Sequence, residues 1–178
     1  MTGTSTSVSA DLVSVAVRSI HAMAGGERAE FDTLYHPEAT DRENRIQPPS
    51  SRVKGAACFW STAQWLRAAF AGLRYDIHHA VTDGELVVVS STMNGRHAQP
   101  WAVYDEAGEV DTVFPATHQT FSMTQSHWFR MQDGVILEHW ANRDDLGMAR
   151  QLGWIPPSPG YLLRMARAKR QAPRRPQQ

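Results

Sequence analysis

The 178-residue chain has one cysteine, Cys58, so it lacks a partner for an intramolecular disulfide and a thiolate set for zinc. Long apolar runs are missing as well. Leu86-Val87-Val88-Val89 falls far short of the ~18–20 residues a membrane-spanning helix needs. A basic stretch followed by an apolar core is absent near Met1, so a cytoplasmic protein is expected. Net charge is zero, with eighteen Lys/Arg against eighteen Asp/Glu, which implies no polyanionic partner. There is no phosphate loop, dinucleotide fingerprint or nucleophile elbow. His36, Asp41 and Glu43 lack the spacing of a zincin or a facial triad, so neither a metal nor a cofactor is expected.

The charge that is present is uneven. Residues 164–178 hold six basic groups and no acid, leaving twelve basic against eighteen acidic groups before them. No aromatic stacking platform accompanies this basic end, so nucleic-acid binding is not expected. Residues 1–9 read as a disordered Ser/Thr-rich start, 10–155 as one domain, and 156–178 as a Pro-rich link with a basic helix and tail. Apolar spacing predicts helices over 10–23, 27–34 and 56–70. The period then shortens to two. Strands are expected over 73–82 and 85–91 around Asp83-Gly84, over 101–104, and over 119–131 and 135–142 around Asp133-Gly134, with 105–115 as a loop. A short helix over 144–152 and a final one near 161–169 complete the pattern. Helices before antiparallel strands argue for α+β, with N-terminal helices on a curved, mostly antiparallel sheet.

The second hairpin carries the most chemistry. With a two-residue turn, facing residues have numbers summing to 267, so His127 faces Trp140, Gln125 faces Asn142 and Phe129 faces Glu138. One sheet face would then mix aromatic rings with His, Gln, Asn and Glu, and Asp144 would follow on the same parity. Such a mixture suits a ligand cavity better than a plain core. A carboxyl group among Trp and Phe has its charged form disfavoured and becomes a candidate general base. Asp144 suits a helix N-cap equally well, and His127 suits a satisfied core histidine. His97, in Asn94-Gly95-Arg96-His97, either faces the same interior or sits in a loop. The opposite face, with Trp128, Leu137 and Ala141, would leave an apolar patch for a second copy, so a homodimer through the sheets is expected.

Gly134-Val135-Ile136-Leu137-Glu138-His139-Trp140, Asp144 and Gln151-Leu152-Gly153 resemble the C-terminal signature of SnoaL-like polyketide (ester) cyclases. Ala69-Phe70-Ala71-Gly72-Leu73-Arg74 and Asn94-Gly95-Arg96-His97 agree with the same family. The resemblance spans roughly residues 10–155. It departs at Pro115-Ala116-Thr117-His118, where the family has Pro-x-Thr-Gly, and in the long segment from Tyr104 to Phe114. The resemblance implies the cone-shaped, nuclear transport factor 2-like fold and cofactor-free closure of a polyketide ring by intramolecular aldol condensation. It also implies Asp144 as the base and His97 as the histidine of the Gly-x-His turn.

The expected function is therefore a cyclase/isomerase-type enzyme with catalytic Asp144, His97 and His127. Trp140, Phe129, Gln125, Asn142, Glu138 and Trp60 would hold a small hydrophobic, polyketide-like carbonyl substrate. An epoxide hydrolase or dehydratase on the same scaffold, or a non-catalytic binding protein, are the alternatives.

Overall fold

A computed structural model describes residues 3–172. Its elements follow the change of period along the chain. Helices α1 (Gly3–Gly25) and α2 (Arg28–Leu34) come first, then strand β1 (Tyr35–Asp41), two 3-10 turns and helix α3 (Ala56–Ala69). Strands β2 (Phe70–Asp83), β3 (Leu86–His97), β4 (Trp101–Tyr104), β5 (Val110–Phe114), β6 (Thr120–Gln132) and β7 (Val135–Arg143) follow. Helices α4 (Asp145–Gln151) and α5 (Pro159–Gln171) end the described chain. Five strands form one curved sheet in the order β1-β7-β6-β3-β2, with β1 parallel to β7 and the other pairs antiparallel. The α+β class holds, and the sheet is mixed and not closed into a barrel. Strands β4 and β5 form a separate hairpin.

Local chemistry accounts for most of these boundaries. Asp133 and Gly134 have φ of 51° and 81°, the pair of left-handed residues that a type I′ turn requires. The earlier hairpin turns one residue later than expected: Asp83 pairs with Leu86, and only Gly84 has positive φ, at 57°. Asp144 caps α4 by accepting the Gly147 N–H at 2.8 Å, and Ser158 caps α5 in the same way through Tyr161 N–H. The concave sheet face and α1–α3 enclose a core in which Phe31, Leu34, Val87, Val89 and Ile136 are fully buried.

Three expectations change. The first helix begins at Gly3, so most of the expected disordered segment 1–9 is helical. The expected loop 105–115 contains β5, and α5 packs against that strand, with the Tyr161 hydroxyl donating to Pro115 O at 3.3 Å. Strand β1 was not expected, because Pro37 and neighbouring polar residues obscure it. As an edge strand it tolerates the missing N–H of proline. Residues 1–2 and the tail beyond 172 lie outside the described residues.

The consequential feature is a β-bulge in β7. Met131 pairs with Ile136, but Arg130 pairs with Glu138, which leaves Leu137 as an extra residue. Beyond it the facing pairs are Phe129–His139, Trp128–Trp140 and His127–Ala141. One inserted residue exchanges the two faces of the rest of the strand. The expected sum of 267 thus holds only next to the turn. Gly134→Ala should lower stability by about 1 kcal/mol in urea unfolding, because a Cβ is disfavoured at φ 81°. Replacement of Leu137 with another apolar residue should leave the register intact.

Candidate active site

The concave face of the sheet, α1, α3 and α4 surround a cavity of about 480 Å³. Its walls are mainly aromatic, with Tyr35, Phe59, Phe70, Trp65, Trp101 and Phe129 among the lining side chains. Polar groups converge along β1, β6 and β7. Asp41 ends β1 and is paired in register with His139 on the parallel β7. The Asp41 Oδ1–His139 Nδ1 distance is 3.1 Å, and His139 Nε2 lies 3.0 Å from His127 Nδ1. His127 Nε2 in turn lies 2.5 Å from Gln125 Oε1. A continuous hydrogen-bonded chain therefore runs from Asp41 through both imidazoles to Gln125, and all four side chains line the cavity.

The carboxylate end is braced from behind. The Thr62 hydroxyl donates to Gln47 Oε1 at 2.5 Å, which turns the Gln47 amide nitrogen toward Asp41 Oδ2 at 3.3 Å. The Glu43 backbone N–H donates to Asp41 Oδ1 at 3.0 Å. Burial by itself would raise the Asp41 pKa. The hydrogen bonds and charge interaction with His139, with those from Glu43 N–H and Gln47, outweigh it and hold the carboxyl below the usual range. His127 lies well below the ordinary histidine range, first because burial disfavours its cation and then because His139 and Arg143 add positive charge nearby. At the cavity mouth Arg143 pairs with Glu43 at 3.2 Å and Asp145 at 3.4 Å, beside the exposed apolar side chains of Ile46, Leu146 and Ile155.

Of the expected site residues, His127, Gln125 and Phe129 line this cavity. The bulge puts Trp140, Glu138 and Asn142 on the opposite, outer face of β7. There Trp140 stacks on Trp128, with ring centroids 5.9 Å apart, and lies beneath the Arg42 guanidinium. Glu138 pairs with Arg42 and Arg130, and Asn142 is exposed. Ala141, expected outside, shares the inner face of the sheet with His127. Trp60 packs edge-on to Phe31 and under Arg67, away from the cavity lining. Asp144 is exposed and occupied as the α4 cap, outside the lining. His97 is fully buried behind the wall, between Phe70 and Trp154. Burial pushes its pKa down to about 4, and its nearest side-chain partner is the Thr117 hydroxyl at 3.4 Å.

The sequence model of the SnoaL-like polyketide cyclases matches residues 15–152. The chain belongs to this family. No functionally curated protein matches it by sequence. TsrD from Streptomyces laurentii is similar in structure, with 22% identity, 81% of this chain and 96% of that chain covered, and a TM-score of 0.65. IdmH from Streptomyces antibioticus, described as a candidate polyketide cyclase, gives 22% identity, 80% and 98% coverage, and a TM-score of 0.60. A Catenulispora acidiphila protein described as having a ketosteroid isomerase-like fold gives 12% identity, 78% and 92% coverage, and a TM-score of 0.56. These likenesses establish the nuclear transport factor 2-like, ketosteroid isomerase-like fold. Among the described residues no helix is long and apolar enough to cross a membrane.

Sequence reasoning on this SnoaL-like chain missed Asp41, His139 and Arg143 as cavity groups. His139 belongs to the Glu-His-Trp motif that carried the resemblance, but an unbulged strand places it outside. Because His97 stays neutral in the fold while the unfolded chain takes up a proton at about pH 6.5, its contribution is fully present above that pH. It is lost as pH falls toward about 4. Urea unfolding across this window should show stability falling by a few kcal/mol with acidification, and His97→Leu should make the fall shallower.

Proposed function

We propose that the protein is a cofactor-independent enzyme of the cyclase/isomerase type that acts by general acid–base catalysis on a flat, hydrophobic carbonyl compound. Closure of a ring by intramolecular aldol condensation is the reaction that fits best. The observation carrying this reading is the Asp41–His139–His127 chain inside an aromatic cavity. Family membership supports the reaction class. The catalytic assignment moves from Asp144 and His97 to the groups that reach the cavity.

The chemistry follows from proton positions. With His127 Nε2 bare, that nitrogen removes the proton α to the substrate carbonyl, and the C–H electron pair becomes an enolate. The His127 Nδ1 proton shifts to His139 Nε2, and Asp41 stabilises the resulting imidazolium. The enolate carbon then attacks a second carbonyl, forming the new C–C bond. The alkoxide takes the proton from His127 Nε2, and the His139 Nε2 proton returns to His127 Nδ1. The α-proton thus ends on the new hydroxyl and the network returns to its starting state. Phe129, Phe59 and Tyr35 exclude water from this path. No metal or second reactant enters the balance. The lone Cys58 is buried and its pKa is pushed up to about 12, chiefly by burial, which suits a cytoplasmic enzyme without thiol chemistry.

The outer face supports association. Val81, Val88, Trp128 and Trp140 occupy one cross-strand row there, and a second copy of the chain is the occupant we propose. Sedimentation of the full chain should give twice the chain mass, and Trp128→Glu should return the monomer. Deuterium exchange α to the carbonyl of an aromatic β-keto ester, followed by NMR, tests the chemistry without the native substrate. Wild-type protein should accelerate exchange. His127→Phe and Asp41→Asn should each lose about 10²–10⁴-fold, whereas Asp144→Asn should stay near wild type. Full activity in His127→Phe, or its loss in a folded Asp144→Asn, would refute the assignment.

A further inference from the structure

Hydrogen-bond direction along the four-residue chain fixes its proton inventory. Gln125 directs its Oε1 at His127 Nε2, at 2.5 Å, and its amide nitrogen at Met93 Sδ, at 3.3 Å. An amide oxygen only accepts, so His127 Nε2 carries a hydrogen. The Asp41 carboxylate touches His139 and not His127, so the second proton of the imidazole pair belongs on His139, and the bare His127 Nδ1 accepts from His139 Nε2–H at 3.0 Å. At the other end the Asp41 carboxylate already receives the Glu43 N–H and the Gln47 amide, and it too only accepts. The 3.1 Å contact therefore requires a hydrogen on His139 Nδ1 as well.

We infer that His139 rests as an imidazolium on the Asp41 carboxylate, and that the Gln125 amide is the positioning element coupled to this extra proton. The inference deepens the acid–base reading of the same site and rests on it for its catalytic meaning. In the form with one proton fewer, His127 donates from Nδ1 to His139, and its bare Nε2 faces Gln125. An amide oxygen there sets lone pair against lone pair, so Gln125 disfavours this form until the substrate displaces it. Gln125, with its oxygen toward His127 Nε2, thus favours the acid form over the base form. In the loaded state the substrate displaces Gln125, and the form with one proton fewer meets the α-carbon with the bare His127 Nε2 that the proposed reaction uses.

The surrounding charges are consistent with a cation at His139. Asp41 from β1 faces it directly. Glu43, from the segment after β1, is paired with Arg143 of β7, which also meets Asp145 of α4. Tyr35 and Cys58 have their pKa values raised chiefly by burial and stay uncharged near neutrality. His127 of β6 supplies the neutral ring between the cation and Gln125. A buried ion pair bonded at every polar corner is the arrangement in which the interior tolerates charge.

The test reads the ligand-free, full-length protein. Long-range proton–nitrogen NMR of 15N-histidine-labelled protein at neutral pH should show both His139 nitrogens protonated and His127 as the Nε2–H tautomer. A neutral His139 with one bare nitrogen overturns the inference, even if the exchange assay succeeds. Asp41→Asn should remove the extra proton from His139, and its persistence there also overturns the pairing. Gln125→Met removes the acceptor at His127 Nε2. In the exchange assay the acidic limb of its rate profile should move to lower pH by about one unit with KM little changed. An unshifted limb with kcat and KM both altered would assign Gln125 a packing role and refute the coupling.

Discussion

The site depends on one extra residue in one strand. Without the bulge at Leu137, alternation along β7 would turn His139 and Arg143 to the outer face and bring Trp140 into the interior. With it, the strand keeps Ile136 in the core near the turn and still delivers His139 to the end of β1. Bulges also disturb β2 near Gly72 and at His78, and such irregularities add twist and bend a sheet. The curved sheet leaves room over its concave face, and aromatic side chains line that room without filling it. Sheet curvature and site composition therefore share a cause.

The buried acid–histidine pair survives because polar satisfaction is nearly complete around it. An ionised carboxyl in a low-dielectric interior is costly unless paired and hydrogen-bonded. Asp41 has His139, a backbone N–H and the amide of Gln47, which is itself oriented by Thr62. These partners come from β7, the turn after β1, and α3. The hydrogen-bonded chain is thus held by elements whose relative placement is set by the core, and the exposed Asp144 before α4 serves a different purpose. Asp144 shows the contrast: its spacing after the strand suits a base, but its carboxylate is committed to the first turn of a helix.

Much of the architecture is legible in the residues alone. Helix positions, both long hairpins, the caps at Asp144 and Gly153, and the α+β class follow from periodicity and turn chemistry. The family signature is legible too. The site is only partly so, and the reason is local. His127, Gln125 and Phe129 lie on β6, which keeps regular alternation, and they reach the cavity as expected. Glu138, Trp140 and Asn142 lie beyond a bulge that no residue announces, because Leu137 is an ordinary strand residue with no glycine or proline beside it. Asp41 was obscured for another reason: its partner is 98 residues away on a parallel strand, and no spacing rule relates the two.

That separation has a kinetic meaning. The Asp41–His139 contact closes a loop of 98 residues and needs the last strand of the sheet, so it is among the last strand pairings that a growing chain is able to make. A nascent polypeptide that has presented β1 but not β7 holds an acid without its imidazole. The hydrogen-bonded chain is thereby tied to the completed topology, and fragments or half-formed chains carry its residues but not its contacts.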